Sequence, residues 1–310
     1  MKKLLIVCSF ALFGTSAFAQ LGDFNIGFGV GVGTTGIDID ASATYGDYLG
    51  ARFGVDIMPK IKVSTELDLG VEDKAASMSE ITQKAKDLNT AAGYTVVDLS
   101  NPIFNNQLPT KMDVEGKLNN TTWHFLIDVY PFGAVSSFHA TVGAYFGPSE
   151  LISVYNKDDG FLKPLNEWNH AVENPSTLPA AAQTYVAGQK MIGAELGDYF
   201  ITPNPSDKGN VEANIEVKSF RPYLGIGFGR AVPKGRIGCQ FDLGVQFWGS
   251  PKVIAPTYER DATSVPYNDR FKDTELKESN AGSDAGKVLK TISKISVYPV
   301  LNFRLVGRIL

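Results

Sequence analysis

The chain has 310 residues, 33 acidic and 29 basic side chains, a formal charge of -4, 31 glycines and two cysteines. That balance argues against a nucleic-acid partner. Beyond the first residues, no apolar run is long enough for a membrane helix.

Met1-Lys2-Lys3, the apolar run over 4–13, and Ser16-Ala17-Phe18-Ala19 before Gln20 read as a secretory signal peptide, residues 1–19. Cys8 lies inside the apolar run rather than at the cleavage point, so lipidation is not expected. Cleavage leaves Cys239 alone, which excludes an internal disulfide. Loss of Lys2 and Lys3 takes the formal charge from -4 to -6. Sec-type export and one domain over residues 20–310 follow as expectations.

Phe24, Ile26, Phe28, Val30 and Val32 alternate with Asn25, Gly27, Gly29, Gly31 and Gly33. Ile37, Ile39, Ala41, Ala43 and Tyr45 then alternate with Asp38, Asp40, Ser42 and Thr44. A side-chain period of two means strands with one apolar and one small or polar face. A turn at Thr35-Gly36 would pair Thr34 with Ile37, setting Gly31 opposite Asp40 and Gly33 opposite Asp38. Glycines would then make room for carboxylates. The third run sets Leu49, Ala51, Phe53, Val55 and Ile57 against Gly50, Arg52, Gly54 and Asp56. Weak alternation over 61–69, past Pro59, predicts a strand continuing beyond the membrane. Ser77 to Glu80 forms a capping box, and Ile81, Ala85, Leu88 and Ala92 predict a short amphipathic helix ending near Gly93. Polar loop is expected from there to about Asn120.

Trp123, Phe125, Ile127 and Val129 form the fourth apolar row, against His124, Asp128 and Tyr130. Phe138, Ala140, Val142, Ala144 and Phe146 form the fifth, against His139, Thr141, Gly143 and Tyr145. The polar segment 149–214 predicts a helix over 180–196 and no strand. Phe220, Pro222, Leu224, Ile226 and Phe228, then Ile237, Cys239, Phe241, Leu243, Val245 and Phe247, form rows six and seven. Arg221 and Arg236 fall on their polar faces, as does Asp242. Lys234-Gly235 reads as the two-residue turn between them, with Val232 opposite Ile237. After a loop over 250–294, Ile295, Val297, Leu301, Phe303, Leu305 and Ile309 run against Tyr298, Asn302, Arg304 and Arg308.

None of these runs contains a Lys or a Glu. A solvated face would be rich in both; Gly, Asp, Arg and Gln suit close pairing in a confined space. The protein is therefore read inside out, with its apolar face on lipid. The fold predicted is all-β, a transmembrane antiparallel up-and-down β-barrel of eight strands. Its long external loops, about 60–120, 149–214 and 250–294, contain short helices. Ten or more strands would result if 61–69 and 211–217 joined the wall. Connections alternate between short and long except after strand one, whose turn is short where a long loop is expected. Tyr45, Tyr48, Phe132 and Phe138 gather at the short turns, and Trp123, Phe220 and Phe247 at the other ends, as aromatic girdles would.

With its leader, alternating runs and final strand, the chain resembles the small outer-membrane β-barrel proteins of Gram-negative bacteria, the OmpA/OmpX-type and OmpW-like barrels. The resemblance covers the barrel and leaves the long loops unmatched. It implies residence in the outer membrane, with outer-membrane lipid and the assembly machinery as partners. Many such barrels end in an aromatic residue; here Ile309 holds that phase, which implies a variant assembly signal.

The strongest constellation is the lumen: Asp38, Asp40, Asp56, Asp128 and Asp242 against Arg52, Arg221, Arg236, Arg304 and Arg308, with His124 and His139. Equal numbers of each sign suggest neutralised pairs. Eight-stranded interiors can be filled by side chains, which favours a plug over a gated polar passage. Register places the two histidines roughly 20 Å apart, too far for one metal ion. Gly31-Val32-Gly33-Thr34-Thr35-Gly36 matches a dinucleotide fingerprint but precedes a strand, not a helix. Ser136, Ser137 and His139 lack a placed acid, and Asn156-Lys157-Asp158-Asp159-Gly160 lacks the spacing of a calcium loop. No catalytic, cofactor or metal residue is assigned. The expectation is a non-enzymatic barrel acting in surface binding, adhesion or envelope support, with an extracellular ligand at its loops. A small-solute channel of the OmpW-like kind is the alternative, and a lipid-modifying hydrolase dependent on His139 the third class.

Overall fold

Two-residue alternation gives each strand two unlike faces, and the computed structural model shows where each points. It describes residues 23–68, 72–99, 110–118, 120–178, 180–207 and 209–310. The signal peptide read over 1–19 lies outside them. In chain order the strands are β1 (Phe24–Gly33), β2 (Gly36–Tyr45), β3 (Leu49–Ile57), β4 (Ile61–Asp68), β5 (Lys111–Leu118), β6 (Thr121–Val129), β7 (Phe138–Phe146) and β8 (Glu150–Asn156). They continue as β9 (Ala194–Leu196), β10 (Tyr199–Ile201), β11 (Glu212–Glu216), β12 (Phe220–Phe228), β13 (Ile237–Phe247), β14 (Lys252–Tyr258), β15 (Phe271–Glu275) and β16 (Val297–Arg308). The α-helices are α1 (Glu72–Ala92), α2 (Lys163–Glu173), α3 (Ala180–Val186) and α4 (Ser283–Ser293).

Eight strands close an antiparallel barrel in the order β1-β16-β13-β12-β7-β6-β3-β2. Along β6 and β12 exposed and buried residues alternate without a break. Outward-facing Phe28, Phe53, Phe125, Leu224, Phe241 and Phe303 are exposed, whereas inward-facing Asp, Arg, His and Gln are buried. A closed sheet wrapped in apolar side chains satisfies every backbone group within itself, the condition for crossing lipid with strands. Tyr45, Tyr48 and Phe132 ring the short-turn end; Trp123, Phe146, Phe220 and Phe247 ring the other, with Phe146 and Phe220 in ring contact at 5.3 Å.

Two turns differ from expectation. In the β1–β2 hairpin Gly33 faces Gly36, so Thr34 and Thr35 make the turn, Gly31 faces Asp38 and Gly29 faces Asp40. Gly36 has a φ of 109°, a conformation that favours glycine, which fixes the turn there. The shift from the expected register is two residues, so every side chain keeps its face. Between β12 and β13, pairing stops at Phe228 opposite Phe241. Residues 229–236 then form a loop instead of the Lys234-Gly235 turn. Gly229, at φ 106°, starts it, and Ala231 and Val232 are buried. Ala231 N–H donates to Tyr130 Oη at 2.9 Å and its carbonyl accepts from Ser42 Oγ at 2.8 Å, tying the loop across that mouth.

The wall does not end at the membrane. A second sheet, β4-β5-β8-β11-β14-β10-β9 with β15 on β14, repeats the neighbour order of β3-β6-β7-β12-β13. Each of those five strands continues outward, while β1 and β2 meet at their tight turn. This accounts for the short first connection, and both extra runs lengthen the wall without raising its strand number. Segments expected to be loop are therefore ordered: β5, β8 to β11, β14 and β15 all lie in them. Helix α1 starts at Glu72, so Ser77 lies within it rather than capping it, and Gly93 follows its end at φ 71°. The helix expected over 180–196 stops at Val186, with Gly188 at φ 77°, and residues 194–196 pair as β9. Helix α2 was not expected at all. Ile81, Ala85, Met112, Leu165, Trp168 and Ala182 bury one shared core in this layer, and Phe200, Tyr258, Tyr267 and Phe271 bury another.

Candidate functional site

Inside the barrel, six strands supply polar groups: Asp38 and Asp40 from β2, Arg52 and Asp56 from β3, His124 and Asp128 from β6, His139 and Thr141 from β7, Gln240 and Asp242 from β13, Asn302 and Arg304 from β16. The other two strands, β1 and β12, supply the space around these groups. A Cβ at Gly29 or Gly31 of β1 would collide with Arg304, and one at Gly225 of β12 with the Tyr223 hydroxyl.

Two arginines are the hubs. Arg52 Nη2 lies 2.7 Å from Asp128 Oδ1 and Nη1 lies 2.9 Å from Asp242 Oδ2, with a further bond from Nη2 to Asp242 Oδ1 at 3.1 Å. Arg304 donates to Asp40 and to Gln240 Oε1 at 2.8 Å, with Asp38 Oδ1 at 3.4 Å from its Nε. His139 joins them: its Nε2 lies 2.9 Å from Asp242 Oδ1 and 3.2 Å from Gln240 Nε2. His124 faces carboxylates through both ring nitrogens, Asp56 at 2.6 Å and Asp40 at 4.0 Å. Thr35 and Thr141 hydroxyls donate to Asp56 and Asp128, each at 2.7 Å.

The expected balance of five charges of each sign is not what the lumen holds. Its five aspartates meet two arginines and two histidines. Arg236 and Arg308 are exposed at the short-turn rim, where the wall ends: Arg308 donates to Asn25, and its N–H to the Arg236 carbonyl at 3.0 Å. Arg221 is buried at the opposite end, donating to Lys218 O at 2.8 Å, Asn120 Oδ1 at 2.9 Å and Pro148 O at 2.5 Å. It latches the strand extensions instead of pairing with an aspartate. Gln240, Asn302, Thr35 and Thr141 complete the network; for three of them the signal was available, since they share the phase of the charged residues.

The network is closed at both ends. On the outer side, Leu126, Tyr145, Tyr223 and Val300 pack together, and Trp248 stacks on Tyr298 at 4.5 Å and 8°. On the other, Tyr130, Ala231 and Val232 are buried. The space left among Asp38, Arg52, His124, Asp242 and Arg304 is about 10 Å³, room for about one water.

The other constellations behave differently. Each histidine lies against a tyrosine of the neighbouring strand or turn with the rings tilted, His124 by Tyr145 at 5.5 Å and His139 by Tyr130 at 5.4 Å. Asp128, His139 and Asp242 bring ligand atoms within 4.8 Å of one another, but the Arg52 guanidinium already holds both carboxylates. His139 approaches Ser137 through the backbone carbonyl, at 3.3 Å, and Ser136 Oγ accepts from Phe138 N–H. Asn156 and Asp159 bond to Asn210, bracing a loop.

Outside the lumen, two clefts open in the external layer. One, of about 620 Å³, runs along Tyr199, Thr257, Glu259 and Arg260. The other, of about 520 Å³, lies against α2. Across the sheet, the Lys62 ammonium 2.5 Å away and the Tyr155 hydroxyl hold the Glu115 carboxyl below the usual carboxylate range, and both partners are pushed up in return. Burial pushes the Tyr267 hydroxyl well above its ordinary value, so it stays protonated.

No family model matches the chain, and no curated protein is similar to it in sequence. Among solved structures, CarO of Acinetobacter baumannii is 13% identical, covering 91% of this chain and 97% of its own, with a TM-score of 0.40. CarO2 of Acinetobacter baumannii is 14% identical, covering 92% and 98%, with a TM-score of 0.40. A major outer membrane protein from Thermus thermophilus is 11% identical, covering 92% and 98%, with a TM-score of 0.35. Likenesses this remote say nothing of substrate or activity; the transmembrane β-barrel assignment rests on the strand register and apolar exterior of the chain itself.

Proposed function

We propose that the chain, exported and relieved of residues 1–19, is a non-enzymatic outer-membrane barrel that works through its external layer, as a surface-binding protein. The lumen is its structural plug. One observation carries this reading: about 10 Å³ of space remains among the lumen charges, against clefts of about 520 and 620 Å³ outside. Small-molecule sites typically occupy roughly 300 to 1,000 Å³. A small-solute channel would have to break the Arg52 and Arg304 hubs to open, and breaking a buried pair costs about 3–5 kcal/mol. Purified protein in planar bilayers tests the choice. The expected result is a silent membrane at every applied voltage; stepwise conductance would return the channel reading.

A further inference from the structure

The barrel wall is notched at its short-turn end. Strand β12 stops at Phe228 opposite Phe241, while β13 runs back to Ile237, so residues 237–240 pair as strand with β16 alone. A groove of about 410 Å³ fills the notch, lined among others by Val135, Arg230, Lys234, Ile237 and Cys239. Its apolar wall is open: Val135 is 92% and Ile237 77% exposed, and Cys239 is exposed too. Ile237 and Cys239 share the outward phase of Phe241 and Leu243, so this wall faces lipid.

The rim of the groove is cationic. Arg230 Nη1 and Lys234 Nζ lie 3.4 and 3.2 Å from the same carboxylate oxygen, Asp47 Oδ1. Arg308 Nη1 approaches the Lys234 carbonyl at 3.4 Å, and the Arg308 N–H donates to the Arg236 carbonyl at 3.0 Å, which sets the two arginines side by side. Among the described residues, Asp47 is the one acid paired with any of these four cations. Like charges facing each other on neighbouring strands are destabilising, and an anion between them relieves the repulsion.

The two sides together select the ligand. A peptide would bring backbone N–H and C=O groups to a lipid-facing wall where nothing pairs them. A zwitterionic headgroup would bring an ammonium to a rim already rich in cations. Phe132 and Phe138, which flank the groove in the chain and touch at 6.1 Å, set its depth at the headgroup level. A phospholipid of net negative charge satisfies both sides, since guanidinium groups suit phosphate oxygens and the apolar wall suits an acyl chain.

We propose that this groove holds one anionic phospholipid of the adjoining leaflet, its acyl chain along Val135, Ile237 and Cys239 and its phosphate at Lys234 and Arg236. The site lies at the opposite end from the external clefts and is independent of what they bind.

Native mass spectrometry of the full mature protein, delipidated in detergent and mixed with equal amounts of phosphatidylglycerol and phosphatidylethanolamine of matched chains, tests it. One phosphatidylglycerol is expected to be retained in preference. Alkylation of Cys239 by N-ethylmaleimide should slow when that lipid is added and not when phosphatidylethanolamine is. Attraction to an anionic lipid surface changes about fivefold for each basic residue, so Lys234→Gln and Arg236→Gln should each lower retention about fivefold, and together about twenty-fivefold. Arg236→Lys should keep the preference, and Lys157→Gln, which removes an exposed cation from the external layer, should leave it unchanged. Unheated gel mobility confirms that each variant forms the barrel. Equal retention of the two lipids overturns the proposal, as does a preference that survives in the double variant or a Cys239 rate indifferent to lipid. Bilayer recordings bear on the external-layer reading alone.

Discussion

Replacing Arg52 with Met removes the cation that holds Asp128 and Asp242 while keeping the length of the side chain. Both carboxylates are buried, and both lie within 3 Å of the guanidinium, at 2.7 and 2.9 Å. Loss of one partner from a buried pair costs about 3–5 kcal/mol because the remaining charge is left uncompensated. With two carboxylates abandoned, and only His139 and Thr141 beside them, the upper end, about 5 kcal/mol, is expected. The decisive comparison is the triple variant with Asp128→Asn and Asp242→Asn, in which the charges leave together. Neutral groups of similar shape replace a buried ionic cluster at little net cost, so the triple variant should recover most of the loss, to within about 2 kcal/mol of the parent. Urea unfolding in lipid vesicles, followed by tryptophan fluorescence, measures both. A single variant as stable as the parent, or a triple variant no better than the single, would refute the view of the lumen as a set of mutually dependent charges.

Gly31→Val should lower stability by about 1–3 kcal/mol or more, since its side chain meets Arg304 and Asp38, whereas Gly235→Ala, where a Cβ meets only Ile237 O at 4.0 Å, should be neutral in the same assay. Trp168→Ala empties the centre of the larger external core and should loosen that layer by about 3–5 kcal/mol. Limited proteolysis would then cut within 149–214 while the barrel keeps its unboiled gel mobility; loss of both together would contradict a separately packed layer. Glu115, whose folded-state pKa is lowered, adds stability that is fully present above the ordinary carboxylate value and disappears as pH falls through the lowered one. Hydrogen-exchange protection in β4, β5 and β8, taken relative to the unprotected rate at each pH, should therefore fall only in acid, and Glu115→Gln should remove that dependence.

The barrel was legible because a period of two leaves a mark that local chemistry cannot disguise. Asp38, Asp40, Arg52 and Arg304 were placed inside by phase alone, and even the two-residue error at the first turn left them there. What phase could not give was the end of the wall: Arg236 and Arg308 are in step with the lumen residues but lie past the point where strands enclose anything. Residues 229–236 looked like a strand running into a tight turn because Val232 is in phase; Gly229 at positive φ breaks the strand first. The external layer was largely hidden. Its strands are short, mixed in polarity and paired with partners far away in the chain, as β11 is with β8 and β14. Helix α2 has Leu162 at its N-cap with no side-chain cap, so Pro164 in its first turn is the one start signal it carries.

The barrel depends on the apolar face meeting lipid and the polar face closing on itself. Gel mobility of the outer-membrane fraction, unheated and boiled, examines that directly. A closed barrel resists SDS until heated, so the unheated band should migrate apart from the boiled one and be found only in that fraction. A single band at both temperatures, with the protein soluble in the periplasm, would contradict the account.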